Sequence, residues 1–381
     1  MTQLHNPASP HSSDGESSEA GPELPVVLRD RAAYFTANPT HQATSVWMTG
    51  QQDAKTQRAR RYVPASVAHP AKMLPAIAAH AIHHYTRPGD IVLDPMCGIG
   101  TTLVEAVRSG RHAIGTEYEP RWTSIARANL ALSSQADASG IGRVVCADAR
   151  DLPKVAHPAL ADLRRDVAVP HPAGTGELIR TPAWDRPVSL VLTSPPYGAH
   201  THGQVTAPGP GQAVGKSDFR YSPTRRGSGN LAHADLDDLL TGFTAILAGA
   251  IALLRPGGHV VLTTRPYRRG GELIDLPSAV IVAAQDAGLT FIDRNPALMA
   301  GLREGQLIPR ASFFQLLAAR KARAAGIPQQ VTVHEDVLTF MYSPPASGPA
   351  QRTVPPAPRS AGEWKRAAGM GTDFASLAPV A

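Results

Sequence analysis

Two short stretches of this chain combine residue types that could do chemistry together. The first is Asp94-Pro95-Met96-Cys97-Gly98-Ile99-Gly100-Thr101-Thr102. It follows an apolar run that ends in an acid, Ile91-Val92-Leu93-Asp94, and precedes an amphipathic helical stretch. Glycines let a backbone approach a ligand closely, and the N-terminus of the following helix favours an anionic group such as a carboxylate. A dinucleotide fingerprint is excluded because Leu103 stands where its third glycine belongs, and a phosphate loop because G-K-[ST] is absent. Glu117 ends the next apolar run, where an acid can accept hydrogen bonds from both ribose hydroxyls. Asp148 ends the third, in Cys146-Ala147-Asp148-Ala149, where it can accept from an adenine amino group or cap a helix. The three together predict a pocket for a nucleoside with a charged tail.

The second stretch is Thr193-Ser194-Pro195-Pro196-Tyr197-Gly198. Two prolines remove two backbone donors and stiffen the turn. Carbonyls near Ser194 and Pro195 are then expected to face outward as acceptors for a planar exocyclic amine, and accepting its protons helps expose the lone pair. Tyr197 offers a face on which a base can stack, worth about 1–3 kcal/mol. A rigid loop around a packed tyrosine is the plainer alternative for this stretch alone.

These residues need elements to position them. Apolar strands are predicted at 91–94, 112–117, 143–148, 188–194, 259–264 and 333–342, with helices at 101–110, 121–132, 236–258 and 278–289. Strands alternating with helices, and apolar throughout, imply a parallel sheet covered on both faces. Residues 198–235 break the pattern: they are rich in glycine and carry Lys216, Arg220, Arg225 and Arg226. A loop of that length is usually functional or disordered. His80, His83 and His84 lie on a further helical stretch. The first and last have the i, i+4 spacing of metal ligands, but no carboxylate completes a site, and no metal is expected.

Composition narrows the class. The 381 residues include 43% hydrophobic ones, enough for a sizeable core. Gly 33 and Pro 35 exceed ordinary usage and point to long loops or tails. Two cysteines exclude a disulfide scaffold and a thiolate-rich zinc site. No run of about 18 apolar residues predicts a membrane span, and the first 25 residues lack the basic and apolar parts of a secretory signal, so a cytoplasmic protein is expected. Lys+Arg 37 against Asp+Glu 31 leans mildly toward a polyanionic partner.

The chain resembles the S-adenosylmethionine-dependent amino-methyltransferases of DNA, which modify cytosine N4 or adenine N6. D-P-x-x-G-x-G-T-T at 94–102 and S-P-P-Y at 194–197 carry the resemblance, which spans roughly residues 65–342. It implies a class I methyltransferase fold, α/β and Rossmann-like, with a seven-stranded, mostly parallel sheet whose last strand is antiparallel. It implies residues 28–343 as the methyltransferase domain with its basic loop at 198–235, between an acidic disordered tail (1–27) and a proline-rich one (344–381). The cofactor would lie on Lys72 (within His69–Pro75, which resembles the motif before the first strand), Asp94, Pro95, Cys97, Gly98, Gly100, Thr101, Thr102, Glu117, Asp148 and Ala149. Ser194, Pro195, Pro196 and Tyr197 would hold the target amine, and Lys216, Arg220, Arg225 and Arg226 the DNA phosphates. Serine before Pro-Pro-Tyr favours cytosine N4 over adenine N6. The resemblance implies a site-specific enzyme, yet no large separate target-recognition domain is visible. Only the 198–235 loop, the Lys55/Arg58/Arg60/Arg61 stretch and residues 294–330 could read sequence. Cytosine-C5 chemistry would need a nucleophilic cysteine, usually after proline, whereas Cys97 follows Met96 and Cys146 follows Val145. Three alternatives stand beside the DNA reading: a tRNA guanosine N2-methyltransferase, a methyltransferase of a protein side-chain amide, and a catalytically idle nucleic-acid-binding protein on the same fold. The oligomeric state is not legible.

Overall fold

Each apolar run that ends in a polar residue and leads into a helix forms a parallel strand. The structure, a computed structural model, describes residues 44–136, 138–167, 186–196, 204–206, 215–217, 229–269, 272–311, 313–344 and Glu363. Seven strands make the central sheet: β1 (Ile91–Asp94), β2 (His112–Glu117), β3 (Gly142–Cys146), β4 (Val188–Thr193), β5 (Leu254–Thr264), β6 (Thr290–Leu298) and β7 (His334–Met341). Their order across the sheet is β6-β7-β5-β4-β1-β2-β3. Only β7 runs against its neighbours, pairing antiparallel with both β5 and β6. This is the class I methyltransferase fold. The order reverses at β1, flanked by β4 and β2, and the crevice beyond the carboxyl ends of these strands is where ligands bind in open α/β sheets.

Strand alternation divides the core between two faces. Ile91 and Leu93 pack with α4 (Leu152–Val167), α5 (Leu236–Leu253) and α6 (Leu276–Asp286). Val92, Leu190 and Leu192 point the other way, toward α1 (Pro75–Tyr85), α2 (Thr101–Arg108) and α3 (Pro120–Gln135). Both faces of β1 and β4 are therefore buried, which explains why these strands read as unbroken apolar runs. The helix α5 is, among the described residues, the one long and apolar enough to cross a membrane, contrary to the expectation of none. One side of it, with Leu239, Leu240, Phe243, Leu247 and Ala250, is buried in the core against α4 and α6.

The structure corrects several expected boundaries. The helix predicted over 236–258 ends at Leu253, and β5 begins at Leu254. Pro256 lacks an N–H and disfavours helical backbone at Arg255, so the chain is already extended there. The third strand stops at Cys146, because Asp148 caps a short 3₁₀ turn, Ala149–Asp151. The strand β6 was not predicted. Its Asp293-Arg294-Asn295-Pro296 hides the strand pattern, yet a proline is tolerated on an edge strand, and β6 is the sheet's edge. Within the presumed loop 198–235, Gln204–Thr206 pairs with Gly215–Ser217 as a short antiparallel ribbon. Lys216 lies on that ribbon; Tyr197, Arg220, Arg225, Arg226 and the bulk of both tails lie outside the described residues.

Between β6 and β7 the chain makes an excursion that the sequence did not reveal. It consists of a β-ribbon, Ala300–Arg303 paired with Gln306–Pro309, followed by α7 (Phe313–Ala324). The ribbon's base is clamped by the segment before the first helix. Trp47 N–H donates to the Pro296 carbonyl at 3.0 Å, the Leu298 N–H to Trp47 at 2.8 Å, and Arg310 Nη2 to the Gln51 carbonyl at 3.0 Å. Gly50 sits so close that a Cβ there would lie 2.3 Å from the Ala300 nitrogen.

Candidate functional site

The turn after β1 is set by its own backbone. Gly98 (φ +53°) and Gly100 (φ +80°) both adopt left-handed conformations that other residues rarely adopt. A Cβ on Gly98 would stand 3.0 Å from His69 Nε2, so the glycine also lets the His69 ring close over the turn. From behind, Asn129 on α3 donates to the Ile99 carbonyl at 2.8 Å and accepts from the Val63 N–H at 2.7 Å. Trp122 meets His69 edge-on, with ring centroids 4.6 Å apart.

Three acids converge here, each in a different electrostatic state. Asp94, buried at the end of β1, accepts from the Met96 N–H at 3.1 Å. Burial pushes its pKa up to about 6, against the pull of the Thr102 and Thr193 hydroxyls. Glu117 accepts from two backbone donors, Gly98 N–H at 2.9 Å on one oxygen and Glu119 N–H at 2.8 Å on the other. Burial raises it to about 7, and these two hydrogen bonds resist that rise. Each oxygen keeps lone-pair capacity for one more donor. Asp148 is more open and is held low, first by its hydrogen bonds from Arg150. Arg150 Nε reaches both Asp148 oxygens at 3.0 Å, and its Nη2 donates to the Gly229 carbonyl at 3.2 Å. Asp148 is thus both a cap and an ion-pair partner, which leaves it fewer lone pairs than a free carboxylate.

The cations nearby are shaped by burial too. Lys72 Nζ donates to the His69 carbonyl at 2.6 Å and is lowered to about 8 by burial and then by Arg58. His69 is lowered to about 3, by burial and then by Lys72, and is neutral at physiological pH. Cys97 is buried, and burial, followed by the Asp94 and Glu117 charges, drives its thiol well above the usual range. A thiol so raised is no nucleophile at neutral pH.

One cavity of about 1020 Å³ joins this turn to the second motif. Its lining includes Lys72, Asp94, Pro95, Cys97, Gly98, Thr101, Thr102, Glu117, Asp148 and Ala149, and also Ser194, Pro195 and Pro196. Of the expected residues that are described, Gly100 is not on the lining; it begins α2 and packs against Ala126. Pairing of β4 with β5 ends at Thr193 and Leu262, so the Ser194-Pro195-Pro196 backbone starts where the ladder stops. His80, His83 and His84 do not converge on this cavity: His80 stacks on Trp47 at 4.2 Å, and His83 Nδ1 lies 2.7 Å from the Ala79 carbonyl. Of the Lys55/Arg58/Arg60/Arg61 stretch, Arg58 and Arg61 are engaged within the protein. Arg58 donates to the Met73 carbonyl at 2.6 Å and lies over the Tyr62 ring, while Arg61 pairs with the buried Glu105.

Residues that sequence reasoning missed complete the walls. Asn230 lines the cavity and donates to Glu119 at 2.9 Å, bridging the end of the basic loop to β2. Thr263, Arg265 and Glu335 line it too, together with Met299, Arg310, Gln315 and Lys321 from the excursion after β6. Glu335 is half-buried; desolvation raises its pKa, opposed by the charge of Arg265. Its only signal in sequence was an acid at the start of a strand.

The turn after β1, Glu117, Asp148 and the Ser194–Pro196 backbone thus share one cavity at the carboxyl ends of the parallel strands. Residues 9–128 match the family described as DNA methylase, a stretch that carries the 94–102 turn and Glu117 and ends before Ser194. A 105-residue stretch is 30% identical to the Type II methyltransferase M.MthZI of Methanothermobacter thermautotrophicus, covering 27% of this chain and 28% of that one. A 97-residue stretch is 31% identical to the Type II methyltransferase M.HinfI of Haemophilus influenzae, covering 24% and 25%. The matched stretches thus span about a quarter of the length of these curated relatives. Among solved structures, TrmN from Thermus thermophilus is 19% identical, with 75% of this chain and 53% of that one covered and a TM-score of 0.39. The resemblance to DNA amino-methyltransferases is borne out by the family match and the two curated Type II methyltransferases.

Proposed function

We propose that the protein transfers the methyl group of S-adenosylmethionine to an exocyclic amine of a DNA base, with cytosine N4 favoured over adenine N6. The observation that carries this reading is the single cavity shared by the Asp94–Thr102 turn, Glu117, Asp148 and the Ser194–Pro196 backbone. At about 1020 Å³ it is at the upper end of ordinary ligand pockets, roughly 300–1,000 Å³, and has room for a nucleoside cofactor beside a second planar group.

The residues present fit that cofactor. Two buried acids, Asp94 and Glu117, sit at raised pKa values that a cationic, hydroxyl-bearing ligand would bring down. The Gly98 backbone lies open where a side chain would crowd His69. In our reading Glu117 accepts from the ribose hydroxyls through its remaining lone pairs. Asp148 and Ala149 hold the adenine edge, while Lys72, Asp94, Pro95 and Cys97 surround the methionine end. Thr101 and Thr102 present the first turn of α2. Gly100 acts indirectly by turning the chain. When bound, S-adenosylmethionine supplies a methyl group that is already activated, so the protein's own task is alignment.

At the other end, Ser194 and Pro195 accept the N–H groups of the target amine, Pro196 stiffens the loop, and Tyr197 stacks on the base. In duplex DNA the base must first leave the stack, at a cost of a few kcal/mol. Lys216, Arg220, Arg225 and Arg226 then steady the flanking phosphates. Residues 28–343 form the working domain, and the site of action is the cytoplasm.

Nucleoside mass spectrometry of DNA and tRNA tests this, comparing cells that express the chain with cells that express Tyr197→Ala. The expected result is N4-methylcytosine in DNA, absent with the variant. N6-methyladenine would keep the enzyme and change its base. Methylguanosine confined to tRNA, or no new base at all, would overturn the reading.

A further inference from the structure

The ribbon at 300–309 presents an apolar tip that its own surroundings leave bare. Leu302 and Leu307 stand directly opposite each other across its two strands, so they share one face. They are 47% and 51% exposed, and Ile308 is 37% exposed. The turn Glu304-Gly305 beyond them is exposed, with left-handed backbone at both residues. The base of the ribbon, in contrast, is fixed: Ala300 and Gly301 are buried, and Leu302 N–H donates to Gln51 Oε1 at 3.3 Å. An apolar tip on an immobile base is suited to pressing against something.

Its location and charge say what that is. The ribbon is rooted at the cavity, since Met299, Arg310 and Ala311 at its two ends line it, as do Ser194, Pro195 and Pro196. Residues 300–324, the ribbon and the helix after it, carry Arg303, Arg310, Arg320, Lys321 and Arg323 against the single acid Glu304. A polyanion whose one unit enters the cavity would meet these cations on either side. A two-stranded ribbon is of a size to enter a groove of duplex DNA, and apolar side chains inserted between base steps are a recognised way to unstack them.

We propose that the 300–309 ribbon is the duplex-opening element of this protein, with Leu302 and Leu307 leaning into the base stack as the target base turns into the cavity. This rests on the DNA reading given above. The test measures incorporation of radioactive methyl groups from S-adenosylmethionine into unmodified plasmid DNA, native and heat-denatured. It compares the wild type, Leu302→Ser/Leu307→Ser and Leu302→Met/Leu307→Met. The serine pair is expected to lose at least tenfold on native DNA and to stay within twofold of wild type on denatured DNA, where no stack has to be opened. The methionine pair, of similar volume and apolarity, is expected to restore the native-DNA rate. Unchanged melting temperature and cofactor affinity would show that the serine pair is folded. If that pair is misfolded, the single variant Leu307→Ser carries the same comparison. An equal loss on both DNA forms, or no loss on native DNA, would overturn the ribbon's role while leaving methyl transfer to DNA intact. A wild type that labels neither form would overturn the DNA reading itself, and the ribbon's role with it.

Discussion

The two ends of the cavity are built on opposite physical principles. At the end formed by the turn after β1, which we assign to the cofactor, two buried acids are held by backbone: Glu117 by Gly98 and Glu119, and Asp94 by Met96. At the other end stand Arg265 and Glu335, partly buried beside the ends of β5 and β7, and the exposed Lys321 on the excursion after β6. A small rigid ligand rewards a prepaid, desolvated cradle, whereas a long polymer needs a rim that water can reach and charges that can adjust. Asp94 and Glu117, held by backbone donors, mark the first end, and exposed cations with bare leucines mark the second.

The largest expected effect separates the ends most sharply. Tyr197→Ala should lower turnover about 100-fold through lost stacking, with cofactor affinity unchanged by calorimetry. A variant that keeps most of its rate would remove Tyr197 from the target end. Next, Glu117→Ala should weaken S-adenosylmethionine by about 1–3 kcal/mol, with the fold retained. Unaltered affinity in a titration would remove Glu117 from the cofactor end.

Glu117 also makes a pH prediction with a definite sign. Its pKa is raised from the ordinary 4.5 to about 7 in the folded protein, so the folded state binds the proton more tightly than the unfolded state does. Its contribution to stability is thus most favourable below pH 4.5, falls as the pH rises from there to about 7, and stays at its low value above. Cofactor affinity should run the other way, strengthening from pH 6 to pH 8 as the carboxylate forms. Glu117→Gln should flatten both profiles. A wild-type affinity that does not vary between pH 6 and 8 would contradict this assignment.

Two smaller effects probe the borders of each region. Glu335→Gln is expected to lower kcat/KM on DNA about tenfold while leaving cofactor affinity alone; a change in cofactor affinity instead would move Glu335 to the other end. Lys72→Met should raise the His69 pKa modestly, because burial, the larger cause of its depression, remains. An NMR titration in which His69 falls further would contradict the charge coupling.

How much of this was legible follows the same division. Asp94, Gly98 and Glu117 act through local backbone geometry at strand ends, and such geometry leaves a short motif. The neighbours that steady them left none: Asn129 and Trp122 reach the turn across the fold from a helix that reads as ordinary. The edge strand β6 was obscured by its polar centre and Pro296, residues tolerated because an edge has only one strand to satisfy. The excursion after it was unreadable for a related reason. A ribbon whose tip faces solvent lacks the alternation that one-sided burial imposes on a strand.

The clamp between the 44–51 segment and the ribbon has a consequence for anyone wishing to move the ribbon into another protein. The ribbon does not end at its own two strands, because Gly50 and Gln51 are its floor and Trp47 bridges to Ala297 beside it. A transplant of residues 300–309 alone would arrive without its footing. The portable unit is discontinuous, about 250 residues apart along the chain, and the two pieces have to travel together.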